Sequence, residues 1–359
     1  MLRSYDLLII GSGPAGTTTA IFLAQLGFKV VVLNREFKGK YKIGESLSPF
    51  ANSILKQLGV WDVFLADGHL PCYGNKSSWG KPQLDYYDFI NHPLGHAWHI
   101  DRCLFEQRLR ERSMELGVEL INNSSIVDVA KVEDSWQVQI AQGTTISARF
   151  VVDATGRNHF WARRQGVKRL HDDRQVALVA FLTAKDLPLE DTSSLVEAVR
   201  DGWWYSALLP DRALVTAFMT DIDLHQRQAI LEPTGWHELM KQTFYTAERV
   251  SDRYILSSEK PFLVPANSSR LSSFYGENWL AIGDAAMSYD PLSSHGLTMA
   301  MVSGRDAAQA IAAYLDGDRE ALEIYAQQMH LAYSNYATMR SQFYRSETRW
   351  PDSLYWSRR

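Results

Sequence analysis

Leu7-Leu8-Ile9-Ile10-Gly11-Ser12-Gly13-Pro14-Ala15-Gly16 sets a short apolar run directly against a glycine-rich turn. Four aliphatic residues bounded by glycine read as a buried strand. Gly11 then permits a tight bend and Gly13 lets the backbone approach a diphosphate. Gly16 lets the following helix, Ala15 to Leu26, lie close on the sheet. The start of that helix offers unpaired N–H groups and roughly half a positive charge to the pyrophosphate, with Pro14 and Ala15 among the cofactor-binding residues. Gly27 ends the helix, and Lys29-Val30-Val31-Val32-Leu33 reads as a second strand. The position after such a strand usually carries an acid for ribose hydroxyls. Here it is Asn34, followed by Arg35 and Glu36; Asn34 can still donate and accept, so it keeps the site. One GxGxxG alone is a weak signal, and the strand–turn–helix context gives it weight.

Its meaning depends on a run far downstream, Trp279-Leu280-Ala281-Ile282-Gly283-Asp284-Ala285-Ala286. A second strand ending in Gly283-Asp284, followed by Pro291 and a helix, implies one extended cofactor gripped at both ends. Between the two lies Val151-Val152-Asp153-Ala154-Thr155-Gly156-Arg157, at the end of another strand. The small Ala154, Thr155 and Gly156 allow a cofactor to lie against the backbone, while Arg157 can reach a phosphate or flavin edge. The expected cofactor is FAD, held without a covalent link because no attachment residue stands out.

Composition agrees with a soluble enzyme. The 359 residues suffice for two interlocked domains with a sizeable core. A net charge of −4 with mixed signs suggests no nucleic-acid partner. Cys72 and Cys103 are the only cysteines and have neither metal-ligand spacing nor a disulfide framework, so no metal is expected and reduced thiols are the default. The first strand begins within about six residues, which leaves no room for a signal peptide. No apolar run approaches the roughly 18 residues that a spanning helix needs, so no membrane is expected either. A cytoplasmic protein follows by elimination. The eleven Trp and sixteen Tyr point to core and interface.

Along the chain there is no internal repeat and no low-complexity linker. Ile43-Gly44-Glu45-Ser46-Leu47-Ser48-Pro49 precedes a helix from Phe50 to Leu58. A glycine-, proline- and aromatic-rich segment runs from Pro71 to Trp98. His99-Ile100-Asp101-Arg102 then enters a helix whose Leu104, Phe105, Leu109 and Leu116 keep helical spacing. Strands are expected at 118–122, 126–132, 136–140 and 144–152, and again at 176–183, 203–209 and 214–220. The expected class is α/β. A Rossmann-type FAD-binding domain (1–70, 98–169 and 271–330) is interrupted by a strand-rich substrate domain (71–97 and 170–270). Residues 331–359 form a C-terminal helix and an aromatic, basic tail. A pocket between the domains is where ligands commonly bind.

Gly11/Gly13/Gly16, Asp153-Ala154-Thr155-Gly156 and Gly283-Asp284 with Pro291 and Gly296, in this order, resemble the group A flavin monooxygenases and their flavin-dependent halogenase relatives. That superfamily has a p-hydroxybenzoate-hydroxylase-like fold, and the resemblance covers nearly the whole chain. Ile43-Gly44-Glu45-Ser46, Ser78-Trp79-Gly80, Asp201-Gly202-Trp203-Trp204-Tyr205-Ser206, Asp290-Pro291-Leu292-Ser293-Ser294 and Arg349-Trp350-Pro351 look like the flavoproteins that mature cysteine tryptophylquinone enzymes. The resemblance implies that Asp284 binds ribityl hydroxyls; a plain helix N-cap is its structural alternative. It places Arg102 near the ribityl and pyrophosphate, and Glu45 and Ser46 at the cofactor. The loop Pro291 to Gly296 would lie along the isoalloxazine. The helix starting near Leu297 would aim its N-terminus at the pyrimidine end.

Halogenases of this superfamily carry a glutamate where this chain has Ser293, and a Trp-x-Trp-x-Ile-Pro segment. The nearest stretch here is Trp203-Trp204-Tyr205-Ser206-Ala207-Leu208-Leu209-Pro210, with one tryptophan replaced and the proline displaced. Lys76 is near the halogenase lysine only in order and reads better as solvated. The resemblance therefore implies oxygenation by reduced flavin and O₂ through a C4a-hydroperoxide, in which the cofactor carries the hard chemistry. His295 is the first choice for removing a ring proton, against a loop histidine bonded to backbone. Ser293 and Ser294 join it in the catalytic loop, or only satisfy loop N–H groups. Trp203, Trp204 and Tyr205 line the substrate pocket, or form core.

The implied function is FAD-dependent hydroxylation of a tryptophan side chain in a partner protein, the precursor of a quinone-cofactor oxidase. The alternatives are a small-molecule aromatic hydroxylase or halogenase of the same fold, and a non-catalytic flavoprotein chaperone of the precursor. With no second dinucleotide fingerprint, the reductant is NAD(P)H in transient contact or a separate reductase. Phe343-Tyr344-Arg345, Arg349-Trp350-Pro351 and Tyr355-Trp356-Ser357-Arg358-Arg359 have the composition of interface anchors and equally suit packing on the protein's own surface.

Overall fold

The structure, a computed structural model, describes residues 2–141, 143–185, 190–257 and 260–359. The apolar run of the opening motif forms the strand Leu2–Ile10, fully buried from Leu7 to Ile10. It lies between Val30–Asn34 and Thr145–Asp153, parallel to both, and Thr145–Asp153 pairs in turn with Trp279–Ala281. Three registers coincide: Ile10 faces Leu33 and Asp153, and Asp153 faces Ala281. Motifs separated by more than a hundred residues in sequence therefore end in one row at the carboxyl edge of the sheet, where open α/β sheets bind ligands. Glu119–Asn122 extends this sheet beyond Val30–Asn34, and a meander of Ile126–Val132 and Ser135–Ile140 joins Thr145–Asp153.

The helix after the glycine turn runs from Pro14 to Gln25 and packs against Gly296–Leu315. The contact is close because of Gly304. A Cβ there would stand 2.6 Å from the Ala15 carbonyl oxygen, and Thr19 Oγ1 donates to the Gly304 carbonyl at 3.0 Å.

A second sheet has the order Tyr254–Leu256, Gln175–Ala184, Leu214–Asp221, Gly202–Leu208, Ser194–Val199, Gly74–Ser78 and Asp85–Asp88. Phe262–Pro265 also pairs with Gln175–Ala184. The segment around 74–88 thus joins strands more than a hundred residues away, whereas Ala97–His99 pairs with Ser46–Leu47 and Leu70–Cys72 in a small separate sheet. Side chains alternate across a strand, so the second sheet has two apolar faces. Ala177, Val179, Trp203 and Val215 point one way, to meet Trp79, Tyr344, Tyr355 and Trp356. Leu178, Ala180, Trp204 and Phe218 point the other way, toward Trp236, Met240 and Val250 on the helices Pro233–Met240 and Tyr245–Val250.

The C-terminal helix spans Ala321–Arg345, beginning ahead of the expected 331. It crosses from the first core, where Tyr325 and Tyr333 are buried, to the second, where Tyr344 is buried. The tail that follows packs on the protein itself. Tyr355 and Trp356 are buried, Trp356 Nε1 donates to the Val199 carbonyl at 3.0 Å, and Arg359 pairs with the buried Asp221 at 2.7 Å. No helix of the described residues is long and apolar enough to cross a membrane.

Candidate active site

At the carboxyl edge of the first sheet the glycines act by different means. Gly11 has φ +109°, and a Cβ on it would run into the Ala154 carbonyl, whose own amide donates to Ile10 O at 2.9 Å. A Cβ on Gly16 would collide with the Gly11 carbonyl. Gly13 differs from both, since a Cβ there would meet no protein atom within 4 Å. That empty approach, at the N-terminus of a helix, is where a diphosphate needs space and free N–H groups. Gly283 (φ +52°) closes in from the far motif, its would-be Cβ 2.7 Å from Ala15 Cβ.

Asn34 is buried. Its Oδ1 accepts from Ser12 Oγ and its Nδ2 donates to Asn122 Oδ1 at 2.6 Å. Together with Arg35, these residues line a cavity of about 1140 Å³ that runs along Glu36, Asn123 and Phe160. A second cavity of about 580 Å³ reaches from Pro14 and Ala15 past Glu45, Ser46, Arg102 and Gly156 to Asp284, Pro291, Gly296 and Leu297. Gly13, Lys42, Glu106, Ala154 and Thr155 line both. The two cavities therefore form one extended groove with the bare Gly13 backbone at its middle, which fits a dinucleotide such as FAD.

Each flank of the groove is held by buried polar contacts. Asp153 Oδ1 accepts from the Thr155 amide and hydroxyl, and Oδ2 accepts from the amides of Trp161 and Ala162. It caps the short helix Phe160–Arg164 and so fixes the Ala154–Gly156 turn. Arg102 donates from Nη1 to the carbonyls of Ile43 and Gly44 and from Nε to Glu106 at 2.8 Å, which pins the Gly44-Glu45-Ser46 segment to the helix Arg102–Glu115. Burial pushes the Glu106 carboxyl up, but Arg102 and Lys42 outweigh it and hold the group below its ordinary value. Arg110 stands 3.7 Å from the same carboxylate. Three cations around one anion leave this stretch, where Lys42 and Glu106 line both cavities with Gly13, net positive.

Asp284 lies in the turn Gly283–Ala285, and its side chain is 44% exposed in the groove, 3.8 Å from Arg157 Nε. It caps no helix: the long helix begins only at Gly296, so the N-cap alternative falls away. The turn is braced from behind by Arg169, which donates to the Asp284 carbonyl at 2.9 Å and the Ala285 carbonyl at 3.3 Å.

The loop after Pro291 is a partition. Pro291 and Ser294 face the 580 Å³ cavity, while Leu292, Ser293, Ser294 and His295 face a third one, of about 230 Å³. Ser294 is left-handed at φ +51° and lines both. Ser293 Oγ donates to the Asp290 carbonyl at 3.1 Å and accepts from the His295 amide at 3.3 Å. His295 is exposed, with Nδ1 against the Ser293 carbonyl. The buried Asp290 sets the loop. It accepts from Leu292 N, Gln175 Nε2, Arg340 Nε and Tyr344 Oη, at 2.8 to 3.1 Å.

The small third cavity has aromatic walls in Phe50, Tyr87, Phe89 and Trp98, with Ser194, His99 and Cys72 also on its lining. The expected wall of Trp203, Trp204 and Tyr205 is corrected. Only Tyr205 lines a cavity, the one on the Pro291 side, where its hydroxyl lies 2.7 Å from Ser46 Oγ. Trp203 is buried against Trp79 and donates to Tyr344 Oη at 2.9 Å. Trp204 stacks on Phe218 on the opposite face. Strand alternation turns Trp204 away from Trp203 and Tyr205, and Trp203 is covered by Trp79 and Tyr344. Lys76 is not free in solvent but paired with Asp191 at 2.8 Å. Sequence reasoning missed Lys42, Arg110, Ser12 and Asn122. Arg102, Glu106 and Arg110 at i, i+4 and i+8 signalled a single charged helix face; the asparagine and serine carried no such pattern. Among the described residues no cluster of His, Cys, Asp or Glu could hold a metal ion.

Comparison with known proteins bears on this geometry. The putative FAD-dependent oxidoreductase LodB of Marinomonas mediterranea is 29% identical over 367 aligned residues, covering 100% of this chain and 97% of LodB. The solved myxobacterial chondrochloren halogenase CndH superposes with a TM-score of 0.89 at 26% identity, over 99% of this chain and 86% of that one. The peptidyl tryptophan dihydroxylase QhpG, essential for tryptophylquinone cofactor biogenesis, shares the fold with a TM-score of 0.82 at 23% identity, over 99% and 78% of the two chains. The family model described as FAD binding domain matches residues 4–339. The chain belongs to this FAD-binding family and is a flavin enzyme, an oxidoreductase whose cofactor is FAD.

Proposed function

We propose that this chain is an FAD-dependent monooxygenase that hydroxylates a tryptophan side chain of a partner precursor protein, in the formation of a cysteine tryptophylquinone cofactor. The observation that carries the reading is the 230 Å³ aromatic-walled cavity across the loop from the flavin groove. It is smaller than the roughly 300–1,000 Å³ of sites that take whole drug-sized ligands, and so suits one ring system. Its rim is aromatic and open, with Phe50 54% and Tyr87 60% exposed. Exposed apolar rims of this kind mark sites of protein contact. QhpG, which shares the fold, acts on a peptidyl tryptophan according to its name.

Bound FAD, once reduced, supplies the activation of O₂. The residues of the chain do the rest. Gly13 and the helix Pro14–Gln25 take the diphosphate, Asp284 the ribityl hydroxyls, and the loop Pro291–Ser294 separates the flavin side from the aromatic side. Trp98 and Phe89 orient the substrate ring, and His295, at the wall of that cavity, takes the ring proton. The reductant is NAD(P)H or a separate reductase. Ser293 is committed to its own loop and Lys76 to Asp191, which disfavours the halogenation that CndH performs.

Mass spectrometry of the precursor, expressed with and without this chain, tests the reading. Added oxygen at one tryptophan is the expected result. A modified free small molecule would replace the reading with a small-molecule hydroxylase or halogenase. Binding with unchanged precursor mass would replace it with a chaperone.

A further inference from the structure

We infer that Ser194, set by His99, is the polar receptor for a single ring N–H in the aromatic cavity and determines which ring the cavity accepts; this rests on reading that cavity as the substrate site. The wall is mostly apolar, from Leu47, Phe89, Trp98 and Leu292. Several of its hydroxyls are already committed: Ser46 to Tyr205 at 2.7 Å, Ser48 to Thr298 at 3.0 Å and Ser293 to the Asp290 carbonyl at 3.1 Å. Ser194 differs in its partner, an imidazole held in the core. Its Oγ lies 3.0 Å from His99 Nε2 and 4.0 Å from the Cys72 thiol, a weak partner turned to the Gly74 carbonyl at 3.3 Å.

A hydroxyl has one proton and two lone pairs. If Ser194 donates to Nε2, both lone pairs remain; if Nε2–H donates to Ser194, one remains. Under either tautomer Ser194 retains an acceptor site in the cavity lining. Burial, reinforced by the positive Arg249, lowers the His99 pKa to about 3, so the ring stays neutral at working pH and the arrangement does not switch. The two residues are also rigidly placed on different sheets. Ser194 starts a strand paired with Asn75 in the second sheet, and His99 pairs with Ser46 and Leu70 in the small one. A ring N–H entering a pocket with aromatic walls must find an acceptor or lose its hydration without return. Rings with an N–H are accepted at Ser194, and isosteres without one gain nothing from it.

Indole and benzothiophene, which are nearly isosteric and differ in the N–H, are titrated calorimetrically into the FAD-loaded protein. Indole is expected to bind about five- to tenfold more tightly, the worth of one neutral hydrogen bond. Ser194→Ala should erase the preference at unchanged FAD content, and Ser194→Thr, which keeps an Oγ, should restore it. Equal affinities in the unmodified protein, no measurable indole binding, or a preference that survives Ser194→Ala would overturn the inference. A preference that holds while the precursor gains no oxygen would sink the proposed function and leave the receptor standing.

Discussion

Gly13 and Gly16 stand three residues apart and make opposite demands. Gly16→Ala drives a methyl into the Gly11 carbonyl, so its expected outcome is a poorly folded protein. Gly13→Val leaves the protein's own packing intact, because no protein atom lies within 4 Å of the added Cβ. It fills the diphosphate approach instead. The expected variant is folded, colourless and unable to retain FAD; a normal flavin spectrum would show that the glycine turn does not hold the diphosphate. Asp284→Ala follows the same logic. Its carboxylate caps nothing, so stability should hardly change, while FAD affinity should fall by about 2 kcal/mol for a lost charge-assisted hydrogen bond; flavin titration beside thermal melting separates the two. His69 gives a prediction in pH. It is buried, its Nδ1 accepts from the Asp101 amide at 3.3 Å, and burial lowers its pKa to about 4. The folded state therefore favours the neutral ring. That stabilisation is complete above the unfolded value near 6.5 and is lost as pH falls toward 4, at a cost of about 3 kcal/mol. His69→Phe, which cannot take up the proton, should flatten the fall in denaturant midpoint between pH 6.5 and 4. An unchanged slope would mean that His69 is not the group responsible.

The elements legible in the sequence were those whose signal is local. Glycine at strand ends and period-two alternation gave the strands Val30–Asn34, Thr145–Asp153 and Leu214–Asp221 close to their observed bounds, whereas four aliphatics in a row gave only the buried half of Leu2–Ile10. The aromatic run Trp203-Trp204-Tyr205 was legible as strand but not as wall, because which face of a strand meets a cavity depends on what the other sheet elements cover. The helices Pro233–Met240 and Tyr245–Val250 cover one face and the C-terminal tail covers most of the other, and nothing local announces either. The 230 Å³ cavity was invisible for the same reason: its lining comes from the segments around 46–50, 72–75, 87–99, 194 and 292–295, which no spacing rule joins. The partition loop is also held from afar. Asp290 receives four hydrogen bonds, one of them from Arg340 of the C-terminal helix and one from Tyr344. Asp290→Ala leaves Arg340 facing Asp173 alone in a buried setting, so a loss of about 3–5 kcal/mol is expected. Because the loop separates the two cavities, the variant should also shift the visible spectrum of whatever FAD it keeps. A stability loss with an unchanged spectrum would confine Asp290 to the core and remove it from the flavin site.

At the scale of the whole molecule, two sheets meet where the flavin groove and the aromatic cavity share one thin loop. This arrangement favours a substrate that brings its own binding energy. A tryptophan held in a protein can use the exposed rim at Phe50 and Tyr87 to orient its ring, whereas free tryptophan must do so from ring contacts alone. Contacts remote from the reacting atoms are what position a substrate for the chemical step. Free tryptophan, offered with reductant and oxygen, should therefore be turned over poorly, with most reducing equivalents appearing as hydrogen peroxide. Adding the precursor should suppress that peroxide and place the oxygen on the protein. Bromide or chloride should leave the product unchanged, because Ser293, which the sequence resemblance sets in place of the halogenase glutamate, is spent on its own loop. The measurements are peroxide yield per reductant consumed, and product mass with and without halide. Efficient turnover of free tryptophan would remove the rim from the account, and a halogenated product of any kind would move this chain to the halogenase branch that its fold also resembles.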